Sequence, residues 1–157
     1  MADLCTLWQE TTSLLPEVIS LVFQYHECEE SEIIDLCSNA RKLPILETLL
    51  KLKSPIFQNK KLLQRGFQTA CAYGIQPILV FLANVLTVDD MRANENGAIY
   101  MACTQGHLET VEFLLQFLDV DDVRSQHNRS FFGACAKGHT QIVKRLSCVY
   151  KRRRVCA

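Results

Sequence analysis

The chain has 157 residues, of which 48% are hydrophobic, and its 17 basic and 17 acidic side chains cancel to a formal charge of zero. One domain is the default at this length, and with roughly two thirds of the unfolded surface buried such a chain needs neither metal nor disulfide to fold. The composition excludes general disorder, and the charge balance excludes bulk attraction to nucleic acid.

Eight cysteines would suit a disulfide framework in a secreted protein. The opening MADLCTLWQETTS lacks the basic start and continuous apolar core of a signal peptide, so a reducing compartment, the cytoplasm, is expected. No apolar run is long enough for a bilayer, since Pro16 and Glu17 interrupt the stretch 14–23. Cys156 is next to last, not fourth from the end as in a prenylation box.

From the N-terminus, residues 2–10 and 15–26 read as a helix pair, with Pro16 in the first turn of the second helix, where its missing N–H costs nothing. Leu15, Ile19, Val22 and Phe23 make one apolar stripe. Cys5 and Cys37 stand at a spacing of 32, each preceded by Asp-Leu, which marks 1–28 as a degenerate first unit of a repeat. The acidic stretch 27–32 reads as a solvated loop leading into a helix start, where carboxylates favour the positive end of the dipole. A second unit, 29–58, is expected to hold helices over 31–40 and 42–52, with Ile45, Leu49 and Leu50 facing the core.

The frame sharpens in the third unit, 59–90. Phe67, Ala70, Cys71, Gly74, Leu79 and Leu82 recur at an offset of 32 as Ile99, Ala102, Cys103, Gly106, Val111 and Leu114 of the fourth unit, 91–122. The fifth, 123–150, repeats the fourth once more: Ala134, Cys135, Gly138, His139, Val143 and Leu146 fall on Ala102, Cys103, Gly106, His107, Val111 and Leu114. Asp89, Asp90 and Arg92 likewise precede Asp121, Asp122 and Arg124 by 32. The basic run 60–65 reads as a solvated face, and the basic tail 151–157 as a nuclear-import segment, a segment for an acidic partner or a polar end cap.

Each unit has a physical logic. Small side chains at Ala102 and Cys103 let helices approach closely, while Val111, Leu114 and Leu115 form an apolar stripe at helical spacing. Gly106 ends the first helix where a positive φ is required. His107 is expected to bond loop backbone and hold the turn. Cys37, Cys71, Cys103 and Cys135, at spacings of 34, 32 and 32, read as packed small side chains. No C-x-x-C pair occurs, so a zinc cluster is not expected, and no cofactor is.

The pattern A-C-x-x-G-H-x-x-x-V-x-x-L, present at 102–114 and 134–146, resembles the heart of an ankyrin repeat, a short hairpin-like loop followed by two antiparallel helices. The T-P-L-H tetrapeptide that opens the family's first helix is replaced by Gly97-Ala98-Ile99-Tyr100 and Arg129-Ser130-Phe131-Phe132. Such divergent repeats resemble those of large DNA viruses and intracellular bacteria. The resemblance implies an all-α solenoid of about five helix-turn-helix repeats in a single domain, 1–157. It also implies a non-enzymatic, monomeric module that binds a partner protein, a host protein if the source is a pathogen.

Nothing in the chain independently suggests catalysis: no G-x-S-x-G turn, no phosphate-cradling glycine loop and no paired acid and base. The family's contact positions, carried over, fall on Tyr73 in the third unit; Asn94, Asn96, Thr104 and Gln105 in the fourth; and Gln126, Asn128 and Lys137 in the fifth. Tyr73 is the expected aromatic anchor, while Tyr100 and Phe132 are expected to pack inward. An alternative of another class is a ubiquitin-ligase adaptor, because Leu15, Pro16, Glu17, Val18, Ile19, Phe23 and Tyr25 resemble the L-P-x-E and I-F-x-Y opening of an F-box, one residue short in spacing. Nucleic-acid binding through 151–154 is disfavoured by the neutral charge.

Overall fold

The computed structural model of the chain describes residues 30–51 and 55–152. The described residues contain no strand. In order they form α1 (Glu30–Cys37), a 3-10 turn (Ala40–Lys42), α2 (Leu43–Lys51), a second 3-10 turn (Pro55–Gln58), α3 (Lys60–Tyr73), α4 (Gln76–Ala83), α5 (Val88–Met91), α6 (Ala93–Gln105), α7 (Leu108–Leu114), α8 (Val120–Ala136) and α9 (Thr140–Arg152). The expected N-terminal helix pair, the first unit and the F-box-like segment lie outside the described residues, as do positions 153–157 of the tail.

Two rows of helices stack. The first helices, α1, α3, α6 and α8, pack side by side, and α2, α4, α7 and α9 form the second row. Their shared core runs from Ile33 to Leu146 and includes Phe67, Leu79, Ile99, Val111 and Leu114. Close approach in the first row depends on small residues. A Cβ on Gly66 would lie 2.8 Å from Cys37 Sγ, and its register mates Ala98 and Ser130 are 0% and 3% exposed. Cys71 and Cys103 are fully buried, and burial pushes the Cys103 thiol up to about 12 and the Cys71 thiol higher. Cys135 departs from this row: it is exposed, because no described helix covers its side of α8.

Two boundaries differ from the sequence-based expectation. The helix expected to reach residue 40 stops at Cys37, because Asn39 is extended and its side chain accepts the Arg41 N–H, capping the 3-10 turn instead. In α2, Leu46 takes the core position assigned to Leu50, which is 37% exposed. Ile45, Leu46 and Leu49 repeat Ile78, Leu79 and Leu82 at an offset of 33, so this stripe includes consecutive residues and the next turn faces water.

At the entries to the fourth and fifth units a short helix and a left-handed turn stand where a hairpin-like loop was expected. The segment entering the fourth unit is the short helix α5, closed by a capping box in which Thr87 and Asp90 satisfy each other's backbone N–H groups. Asp119 and Asp122 do the same at the start of α8. The chain then makes a left-handed turn of three non-glycine residues. Asn94, Glu95 and Asn96 have φ of 54°, 58° and 60°, and Gln126, His127 and Asn128 repeat this one unit later at 49°, 57° and 62°. Such backbone costs roughly 1–2 kcal/mol per residue outside glycine and is least unfavourable for asparagine, which stands at three of the six positions. Each turn interrupts the helical backbone, and the true first helix starts after it, at Gly97 or Arg129.

Candidate protein-binding face

The first helices expose one stripe at i, i+4 and i+8. In α3 it is Arg65, Thr69 and Tyr73; in α6 it is Gly97, Met101 and Gln105. Between these stripes lies an open groove of about 890 Å³, whose walls include Ile34, Tyr73, Asn94, Met101 and Gln105. Its apolar part stands in water: Ile34, Tyr73 and Met101 are 38%, 61% and 39% exposed. Its floor is fixed by the turns, where His107 Nε2 donates to the carbonyl of Ala72, 2.9 Å away in the preceding unit.

This contact recurs as His139 Nε2 to Thr104 O, 3.1 Å. The glycine before each turn serves it twice. Gly74 and Gly106 cap their helices at φ of 67° and 87°, and a Cβ on either would lie 2.5–2.6 Å from the next unit's imidazole. The histidines therefore tie neighbouring units together, whereas the sequence suggested only a bond within the turn.

A second tie is ionic. Lys60 Nζ lies 3.8 Å from Asp90 Oδ2, and Arg92 lies 3.0 Å from Asp122 and 3.8 Å from Asp119. Asp90 is buried, accepts from Gln64 and Thr87, and these bonds, that from the Thr87 hydroxyl foremost, hold its carboxyl below the usual carboxylate range. Hydrogen bonding from Arg92 to Asp122 raises the guanidinium's pKa further.

Residues 99–146 match the family model described as ankyrin repeats (many copies). Over these residues the chain is similar to ankyrin repeats. No curated protein and no solved structure matches the chain. Ankyrin repeats are generally protein-interaction modules.

Within the ankyrin frame the eight expected contact residues divide. Tyr73, Asn94 and Gln105 converge on the groove. Lys137 is exposed at the end of α8, in register with Tyr73 and Gln105 but outside the groove. Thr104 is half-buried, its hydroxyl donating back to Tyr100 O and its carbonyl accepting from His139. Gln126 is exposed and bonded to Glu95 and Arg129. Asn128 lines a separate hollow at the end of the stack. Asn96 departs from the expected exposed loop position: at 8% exposure it is buried at the left-handed turn, and its Oδ1 has no hydrogen-bond partner among the described residues.

Phe132 also departs from the expectation of inward packing, at 62% exposure. Tyr100 is half-buried beneath Arg129, whose guanidinium carbon lies 3.9 Å from the ring centroid. Ile34, Arg65, Gln68 and Met101 are groove residues that sequence reading missed. The signal for Met101 was an apolar side chain on the polar stripe of Gly97 and Gln105. Among the described residues no helix is long and apolar enough to cross a membrane, and no cluster of His, Cys, Asp or Glu is placed to hold a metal.

Proposed function

We propose that the chain is a non-enzymatic scaffold that takes a partner protein in the groove between the first helices of its second, third and fourth units. The observation that carries this reading is the grouping of Ile34, Tyr73 and Met101, apolar and exposed, with the amides of Asn94 and Gln105 in one open groove on a rigid stack. Aromatic and apolar anchors gain most of their binding energy by leaving water, and rim amides satisfy the partner's backbone. Lys137 extends the same register toward the last unit as a rim contact. A host-cell protein as the partner rests on the likeness of these divergent repeats to those of viruses and intracellular bacteria.

The test is affinity capture with the full chain and with the triple variant Tyr73→Ala, Gln105→Ala, Lys137→Ala. All three side chains are exposed, so the variant is expected to keep its helical spectrum and melting temperature while losing the partner. Undiminished capture by a folded triple variant would move the binding face elsewhere.

A further inference from the structure

The ties between units follow a rule that the last described unit leaves open among the described residues. The cation at one register position meets a carboxylate just short of a full period ahead: Lys60 meets Asp90, and Arg92 meets Asp122. The third cation of this register is Arg124, and the same step along the chain leads from it to Arg154, of the wrong sign. Among the described residues Arg124 has no carboxylate partner, and its guanidinium lies 5.0 Å from the centroid of the Tyr150 ring.

The other half of each tie is open as well. The spaces beside Gly74 and Gly106 are filled by the next imidazole, but a Cβ on Gly138, at φ 76°, would meet nothing within 4 Å. Phe132 is 62% exposed and Cys135, whose register mates are buried, faces outward. Beside Phe132 lies a hollow of about 580 Å³ lined by Arg124, Asn128, Phe131, Phe132, Tyr150 and Lys151, among others. The Tyr150 hydroxyl is buried without a hydrogen-bond partner.

We propose that this end of the stack is a second docking surface, distinct from the groove, and that its occupant is an acidic helical segment of a partner protein. Two points fix that chemistry. The surface continues an interface already formed twice in the fold, in which the incoming element opens with an aspartate that takes the cation. The charges on offer, Arg124 and Lys151, fit a carboxylate pair at a helix N-terminus, where acids are also favoured by the dipole. Phe132 supplies the apolar contact and the Tyr150 hydroxyl a donor.

The experiment uses the full chain and a fluorescein-labelled amphipathic helical peptide opening on Asp-x-x-Asp, followed by fluorescence anisotropy. Binding is expected to weaken about fivefold in Arg124→Ala, the effect of one ion pair at an interface rim, and about tenfold in Phe132→Ala. A peptide opening on Lys-x-x-Lys should bind Arg124→Glu better than it binds the wild type. Tyr73→Ala, in the groove, should bind the acidic peptide as the wild type does, which separates this surface from the one proposed above. Both end-face side chains are exposed, so a melting curve verifies that the variants fold. Equal binding of an Asn-x-x-Asn peptide, or no effect of Arg124→Ala, would overturn the proposal. So would preferential binding of duplex DNA, or a dimer of the chain that Phe132→Ala dissociates, since a nucleic acid or a second copy would then be the occupant.

Discussion

The imidazole of His107 occupies the space that a side chain on Gly74 would need, its Nδ1 2.5 Å from the position of the missing Cβ. One residue type is thereby required for two reasons at once, a left-handed helix end and the approach of the next unit. The same pairing joins Gly106 to His139, while Gly138 has the left-handed φ and no neighbour.

These three glycines separate strain from collision. Gly138→Ala should cost about 1 kcal/mol, for the positive φ alone. Gly106→Ala should cost about 1–3 kcal/mol more, because the added methyl displaces His139 and its bond to Thr104. Urea denaturation of both variants measures the difference, and equal losses would mean that the histidine contact contributes nothing.

The left-handed turns predict a stabilising change. His127 is exposed at φ 57°, a backbone that a Cβ makes unfavourable. His127→Gly should raise the unfolding free energy by up to about 1 kcal/mol, the relief of φ strain less glycine's entropy in the unfolded chain. His127→Val should lower it, since a β-branched side chain tolerates that region least. The opposite order in thermal melts would mean that the turn is not left-handed in solution.

Asp90 makes stability depend on pH. Its carboxyl is held below the ordinary value of 3.8, chiefly by hydrogen bonding from Thr87, so the folded state binds that proton less readily than the unfolded chain. The resulting stability is fully present above that ordinary value and is lost as pH falls through the depressed one. Asp90→Asn should cost about 1 kcal/mol at neutral pH and flatten the decline on acidification below about pH 4. An unchanged acid limb would assign the decline to other carboxylates.

Thiol reactivity should follow position in the stack. With the Cys103 thiol pushed up to about 12 by burial and that of Cys71 higher still, neither should react with a thiol reagent near pH 8 until the protein unfolds. Cys135 and Cys148 are exposed and should react in the native state. Peptide mapping after timed labelling distinguishes them, and early labelling of Cys103 would contradict the stack.

The fold was legible in the chain because a solenoid writes its contacts into a fixed period: Ala102 on Ala134 and Leu114 on Leu146 reveal the same burial twice. The left-handed turns were not legible, since Asn94-Glu95-Asn96 and Gln126-His127-Asn128 contain no glycine to announce a positive φ. For the same reason Asn96, a loop position by its place in the frame, proved to be buried. The Thr87 and Asp119 caps could have been found from T-x-x-D and D-x-x-D, but the repeated aspartates read equally well as solvated charge. Tyr73 and Gln105 were placed from the family's frame, whereas Met101 and Ile34 join them only through the relative rotation of α1, α3 and α6, which no single helix pattern contains.

The most direct measurement of the binding account is photo-crosslinking, with benzoylphenylalanine placed at position 73, in the groove, or at position 80, on α4 in the second row, where Val80 is 49% exposed. In a lysate from which the chain captures a partner, a specific adduct to that partner from position 73 and none from position 80 is the predicted result. An adduct from position 80 with none from position 73 would contradict the assignment of the groove as the binding face.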